Sequence, residues 1–220
     1  MSYINPIKEF YKTNDSLQST KLAHYFDLYW KHFAHKADDK VKILEIGVRS
    51  GGSLLCWDTV FSNSSIYGVD VNPKCKDLEK HGFKIFIGDQ GNLKFWDNFN
   101  TEVGGLDIVV DDGSHINDDI IKTFDKLYPK MNPGGVYFIE DVSSMRLYDD
   151  FKKYVNQTFK PDNLNQNDKM GISFYNRVIV IEKMSKDYSV GTVHSGTIHE
   201  HSLPVGISNN EWKKKCKLEK

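Results

Sequence analysis

Hydrophobic positions fall into short apolar runs separated by turn residues and by segments with helical spacing. "VKILEIGV" (41–48), "SIYGVD" (65–70), "FKIFIGD" (83–89), "LDIVVDD" (106–112) and "VYFIEDV" (136–142) each read as a strand. The runs are continuously apolar rather than alternating, the pattern of strands covered on both faces by helices. Between them, "GGSLLCWDTVF" (51–61) reads as a short helix. "INDDIIKTFDKLYPKM" (116–131) puts Ile116, Ile120, Phe124 and Leu127 on one helical face. Ahead of the first strand, Ser19-Thr20 predicts the cap of a helix with apolar face Leu22, Phe26, Tyr29, Trp30 and Phe33. Residues 1–18 are polar and mixed. A further helix is expected near 146–158, and "ISFYNRVIVIEK" (172–183) reads as a hairpin around Tyr175-Asn176-Arg177.

Strands alternating with helices, joined by right-handed crossovers, predict an α/β fold. The expected architecture is a doubly wound, Rossmann-like sheet of about seven strands with strand order 3-2-1-4-5, helices on both faces and an antiparallel C-terminal strand. The 220 residues are read as a single domain: an N-terminal helical segment (1–40), a core (41–183) and a C-terminal extension (184–220).

The net charge of −1 gives no electrostatic case for nucleic acid or a lipid surface, and the basic run Lys213-Lys214-Lys215 reads as a solvated tail. Cys56, Cys75 and Cys216 have neither disulfide-framework nor zinc spacing. With no signal-peptide pattern and no apolar run of membrane length, a cytoplasmic protein is expected. His194, His199 and His201 in "TVHSGTIHEHSLP" read as an exposed polar strand rather than a zinc site.

Ligands of such sheets bind beyond the carboxyl ends of the strands. The first strand ends in Glu45-Ile46-Gly47-Val48-Arg49-Ser50-Gly51-Gly52-Ser53, and the second in Asp70, an acid able to accept from both hydroxyls of a ribose. Arg49 stands where the dinucleotide fingerprint needs its second glycine, which disfavours a pyrophosphate. Asp111 and Asp112 close the fourth strand, Glu140 and Asp141 the fifth, and the expected order makes those ends neighbours. Carboxylates gathered there would repel one another, and a hard divalent cation relieves that: Mg²⁺ first, with Mn²⁺ or Ca²⁺ as alternatives. Asp112, Glu140 and Asp141 are the expected ligands, with Asp111 assigned to a cofactor or to support behind the site. His115, three residues after Asp112, is expected over the next helix N-terminus as a neutral general base.

The spacing E-x-G-x-x-x-G-G at Glu45, Gly47, Gly51 and Gly52 resembles the first motif of class I S-adenosylmethionine-dependent methyltransferases. Together, "LEIGVRSGGSL", "IYGVDV", "IGDQ", "DIVVDDGSH", "PGGVYFIEDV" and "ISFYNRVIVIEK" resemble metal-dependent O-methyltransferases acting on sugars of macrolide antibiotics, with cephalosporin-hydroxylase-like relatives. The resemblance implies cofactor contacts at Glu45, Gly47, Gly51, Ser53, Asp70, Asp89 and Asp111, with Asp89 and Gln90 beside the adenine. It also implies metal at Asp112, Glu140 and Asp141, and a base at His115, where catechol-type enzymes carry lysine. The expected reaction moves a methyl group from S-adenosylmethionine to a hydroxyl of a sugar or sugar-containing small molecule. No nucleic-acid or membrane partner is expected, and a homo-oligomer is compatible with these features. The alternatives are a cephalosporin-hydroxylase-like metal enzyme, an NAD-dependent oxidoreductase and a non-catalytic binding module.

Overall fold

In the computed structural model, residues 4–158, 170–183, 189–194 and 197–202 are described. The parallel strands are β1 (Val41–Ile46), β2 (Ser64–Asp70), β3 (Lys84–Ile87), β4 (Ile108–Asp111) and β5 (Val136–Ile139). An antiparallel pair follows, β6 (Met170–Tyr175) and β7 (Val178–Lys183). The sheet order is β3-β2-β1-β4-β5-β7-β6, with β7 antiparallel to both β5 and β6. The predicted doubly wound sheet and its antiparallel end are therefore present. A separate hairpin, β8 (Ser189–His194) with β9 (Thr197–Ser202), contains His194, His199 and His201, whose side chains lie outside the described residues, as do residues 203–220.

The helices are α1 (Pro6–Thr13), α2 (Tyr25–Phe33), α3 (Gly52–Val60), α4 (Leu93–Val103), α5 (Asn117–Leu127) and α6 (Met145–Thr158). Two hydrophobic cores flank the sheet. One packs Ile7, Tyr29, Phe33, Trp57 and Phe61 from α1, α2 and the α3 region against Ile43, Val110, Phe138 and Val180. The other packs Trp96, Phe99, Phe124, Leu127 and Phe151 from α4, α5 and α6 against Leu44, Val109, Tyr137 and Ile179. Continuous apolar strands make this arrangement necessary, because each strand must bury alternate residues on both faces.

The N-terminal region departs from the sequence reading. Helix α1 lies inside the stretch read as polar and mixed; Asn5 caps it by accepting from the Ile7 and Lys8 amides, and Pro6 opens its first turn. Ser19 and Thr20 cap nothing, because α2 begins at Tyr25 behind His24. The segment between α1 and α2 instead crosses the start of α3, where the Gly52 amide donates to the Gln18 carbonyl at 3.2 Å. A Cβ on Gly52 would run into the Gln18 and Leu17 carbonyls, so the crossing depends on glycine there. Residues 18–21 thereby lie above the carboxyl ends of the strands.

Candidate active site

Strand parity decides which carboxylates meet. Val41 and Ile43 of β1, Ile108 and Val110 of β4, and Val136 and Phe138 of β5 all face the α1–α2–α3 core. The next residues of the same parity are Glu45, Asp112 and Glu140, so three acids from adjacent strand ends turn towards one side. Asp111 has the opposite parity and joins the α4–α5 side with Val109 and Tyr137.

The parity-matched acids surround a cation that the motifs did not reveal. The Lys21 ammonium lies 2.7 Å from Asp112 Oδ2, 3.0 Å from Glu140 Oε2 and 3.3 Å from Glu45 Oε1. Its side chain is only 3 % exposed. Glu45 also accepts from Ser53 Oγ at 2.6 Å and from Trp57 Nε1 at 3.0 Å. Glu140 accepts from the buried Tyr29 hydroxyl. Burial holds both glutamates above their ordinary range, and the ammonium offsets only part of that. Burial pulls Lys21 down, but Glu140, Glu45 and Asp112 outweigh it and hold the amine well above its ordinary range. An ammonium and a phenol hydroxyl both donate to Glu140, which favours its carboxylate form against burial.

A second group opens to solvent. Asp112 Oδ1 lies 3.9 Å from His115 Nε2, and the ligand atoms of Asp112, His115 and Asp141 all fall within 4.8 Å of one another. Asp141 accepts from the Tyr25 hydroxyl at 2.8 Å and from the Arg177 guanidinium at 3.3 Å. Partial burial pushes its carboxyl up, but these two donors outweigh that and hold it below the usual carboxylate range. Two carboxylates without a thiolate suit a hard divalent ion, and the imidazole stands beside them. Among the described residues, the four non-glycine residues with positive φ are Arg49, His115, Asp141 and Arg177. Three line this cleft and the fourth holds Asp141, so backbone strain is concentrated at the site, as in constrained functional centres.

The cleft has two lobes. The larger, about 400 Å³, is lined by Lys21, Arg49, Ser53, Asp112, His115 and Asp141 among others. The smaller, about 160 Å³, is lined by Ile46, Val69, Val71, Asp89 and Gln90 among others. Gly47, Asp70 and Gly113 border both. Gly47 has φ +87°, and a Cβ there would run into the Asp112 carbonyl, so only glycine lets these two loops approach. Asp70 accepts from the Arg49 amide at 3.0 Å and the Asn72 amide at 2.9 Å, which fixes its carboxylate at the junction. Its remaining lone pairs can accept from a diol. An apolar slot, a carboxylate at its mouth and a polar chamber beyond suit an adenosine followed by a charged tail.

Three expected cofactor contacts and one expected metal ligand lie outside the lining of the cleft. Glu45, Gly51, Asp111 and Glu140 line neither lobe. Glu45 acts through Ser53 and Lys21, which do line it. Asp111, nearly fully buried, accepts from both Gln90 Nε2 (2.7 and 2.8 Å) and the Tyr137 hydroxyl (3.0 Å). Burial pushes it up to about 7, against those hydrogen bonds. Gln90 in turn accepts from the Ser114 amide at 2.8 Å, so Asp111 shapes the small lobe through Gln90. Gly51, at φ +79°, is the N-cap of α3. The N-cap of α5 is Ile116, without a side-chain hydrogen bond, and the preceding Asp-Gly-Ser-His turn is left to shape the cleft. Lys21, the Tyr25 and Tyr29 hydroxyls and Arg177 went unrecognised in the sequence. Only the i, i+4 spacing of the two tyrosines hinted that both hydroxyls leave one helical face.

The sheet order and this cleft define the Rossmann-like fold of the S-adenosylmethionine-dependent methyltransferases, and the chain's homologues are sugar O-methyltransferases of macrolide and tetracenomycin biosynthesis. The chain is 37 % identical over 127 residues to the mycinamicin VI 2''-O-methyltransferase of Micromonospora griseorubida, covering 54 % of this chain and 32 % of that one. It is 35 % identical over 127 residues to the 8-demethyl-8-alpha-L-rhamnosyl tetracenomycin-C 2'-O-methyltransferase of Streptomyces olivaceus, covering 54 % and 33 %. These matches span about a third of the length of the curated relatives. Among solved structures, the MycE methyltransferase from the mycinamycin biosynthetic pathway, in complex with Mg and SAH, superposes with a TM-score of 0.68 at 27 % identity, covering 87 % of this chain and 56 % of that one. Its complex with Mg, SAH and mycinamycin VI gives a TM-score of 0.71 at 25 % identity, covering 97 % and 59 %. No protein-family model matches the chain.

Proposed function

We propose that this chain transfers a methyl group from S-adenosylmethionine to a hydroxyl of a sugar carried by a small molecule, assisted by a divalent cation. The observation that carries the reading is that the larger lobe, lined by the Asp112–His115–Asp141 group, meets the apolar slot at Asp70. The names of similar enzymes, among them O-methyltransferases of rhamnosyl tetracenomycin-C and L-olivosyl-oleandolide, support the acceptor class. The relative solved with Mg, SAH and mycinamycin VI supports both cofactors.

In this reading Ile46, Val69 and Gln90 receive the adenine, Asp70 the ribose hydroxyls, and Gly47, Ser53 and Lys21 border the methionyl tail. Asp112 and Asp141 hold the cation, Mg²⁺ in the first instance, and Glu140 stands directly behind as a further oxygen donor. A bound cation supplies Lewis acidity, the effect that lowers a metal-bound water from 15.7 to about 7. His115 is the base: its ring is 41 % exposed, at the open edge of the cleft, within reach of an acceptor that Asp112 and Asp141 orient. Its backbone is left-handed and the residue lines the cleft. The rate then comes from alignment of the hydroxyl with the methyl group and from removal of its proton. Buried, unpaired Cys56 and Cys75 suit a reducing compartment, and we place the enzyme in the cytoplasm. Among the described residues, no helix is long and apolar enough to cross a membrane.

The test is methyl transfer from isotope-labelled S-adenosylmethionine to a panel of rhamnosides and to mycinamicin VI, followed by mass spectrometry. A mass gain on a sugar hydroxyl that is lost in EDTA is the expected result. Absence of transfer to every glycoside, with S-adenosylhomocysteine still bound, would remove the sugar acceptor from the proposal.

A further inference from the structure

Lys21 presents its ammonium to four carboxylate oxygens of three residues between 2.7 and 3.3 Å, nearly out of contact with solvent. Oxygen cages of that kind ordinarily hold metal ions. The lysine comes from the irregular segment between α1 and α2, not from a strand end. Asp112 is shared: Oδ2 faces Lys21, while Oδ1 faces His115. Glu140, by contrast, gives both oxygens to Lys21, with Oε1 also accepting from Tyr29. A divalent ion drawing on Glu140 as well as Asp112 would have to sit where the ammonium sits, since two cations cannot share those oxygens at contact distance.

We propose that Lys21 is a tethered cation that holds the seat between Asp112 and Glu140 in the metal-free chain, and that a divalent ion entering the cleft displaces it. This rests on the cleft being a metal site. Without an ion, Lys21 offsets part of the charge of three converging acids and draws residues 18–21 down over the cofactor chamber. With an ion, Glu140 is released to it, the ammonium leaves, and the covering segment loosens. Metal loading and cofactor access are thereby coupled through one side chain. The polar wall formed by Gln18, Ser19, Thr20 and Lys21 along the larger lobe is the surface that would move.

The test is calorimetric titration of the full chain with Mn²⁺, together with amide hydrogen exchange. Lys21→Met is expected to bind Mn²⁺ at least about tenfold more tightly than wild type, the scale of one close charge repulsion removed. Glu140→Gln added to that variant should cancel the gain, and Lys21→Arg should retain wild-type affinity. Because Lys21→Met leaves buried acids unpaired and can fail to fold, wild-type exchange provides an independent arm: Mn²⁺ should accelerate exchange at residues 18–21. Unchanged or weakened Mn²⁺ binding in folded Lys21→Met, or unaltered exchange in wild type under saturating Mn²⁺, overturns the displacement while leaving the metal site intact. No Mn²⁺ binding by wild type or by any variant would overturn the metal reading itself, and this inference with it.

Discussion

At the scale of single residues, exposure separates chemistry from scaffolding. His115 touches little besides the cleft, so His115→Asn, which tolerates the left-handed backbone, should lower kcat about 10²- to 10⁴-fold while stability stays within about 0.5 kcal/mol. Steady-state rates paired with thermal melts check this, and a near-wild-type rate would dismiss the imidazole as base. The two tyrosines of α2 make a contrasting pair. Tyr29→Phe strips a donor from a buried carboxylate and should cost about 1–3 kcal/mol. Tyr25→Phe should cost less, because Asp141 is partly open and water can replace the hydroxyl. Urea denaturation of both variants measures the difference, and equal costs would contradict the burial argument. Part of this was legible in the sequence. Asp112, Asp141 and His115 follow from acids and an imidazole placed at neighbouring strand ends. Lys21 did not follow, because a lysine in an irregular segment carries no local signal of the three distant acids it meets.

At the scale of elements, the strands were legible because continuous apolar runs have few alternatives to a covered parallel sheet. Strand parity was present in the letters as well: counting by twos from Ile43, Val110 and Phe138 puts Glu45, Asp112 and Glu140 on one face and Asp111 on the other. What the pattern obscured was the N-terminal region. Helix α1 is only eight residues long and buries only Ile7 fully, and Ser19-Thr20 imitates a helix cap further on. The segment between α1 and α2 is held by the Gly52–Gln18 hydrogen bond and by Lys21, and it roofs the larger lobe. On helix propensity alone, Gly52→Ala would stabilise by up to about 1 kcal/mol. The opposite sign is expected, with weaker binding of S-adenosylhomocysteine, since the added Cβ pushes against the Gln18 and Leu17 carbonyls. A melting curve and a calorimetric titration of this variant decide between the two.

At the scale of the molecule, one architecture brings together an adenosine-shaped slot, a fixed diol acceptor and a group of oxygen and nitrogen donors. The slot depends on the chain Asp111–Gln90–Ser114, which ties the loop after β3 to the turn after β4. Gln90→Ala should therefore weaken S-adenosylhomocysteine binding and cost about 1–3 kcal/mol, because buried Asp111 loses two hydrogen bonds. Unchanged binding would separate Gln90 from the cofactor lobe. The central claim is that Asp112 and Asp141 hold a divalent ion beside a bound S-adenosyl cofactor, with His115 in reach. The most direct measurement is the anomalous difference density of a crystal grown with S-adenosylhomocysteine and Mn²⁺. The account predicts one strong peak coordinated by Asp112 and Asp141 in the larger lobe. A peak elsewhere, or no peak with the cofactor in place, would contradict it.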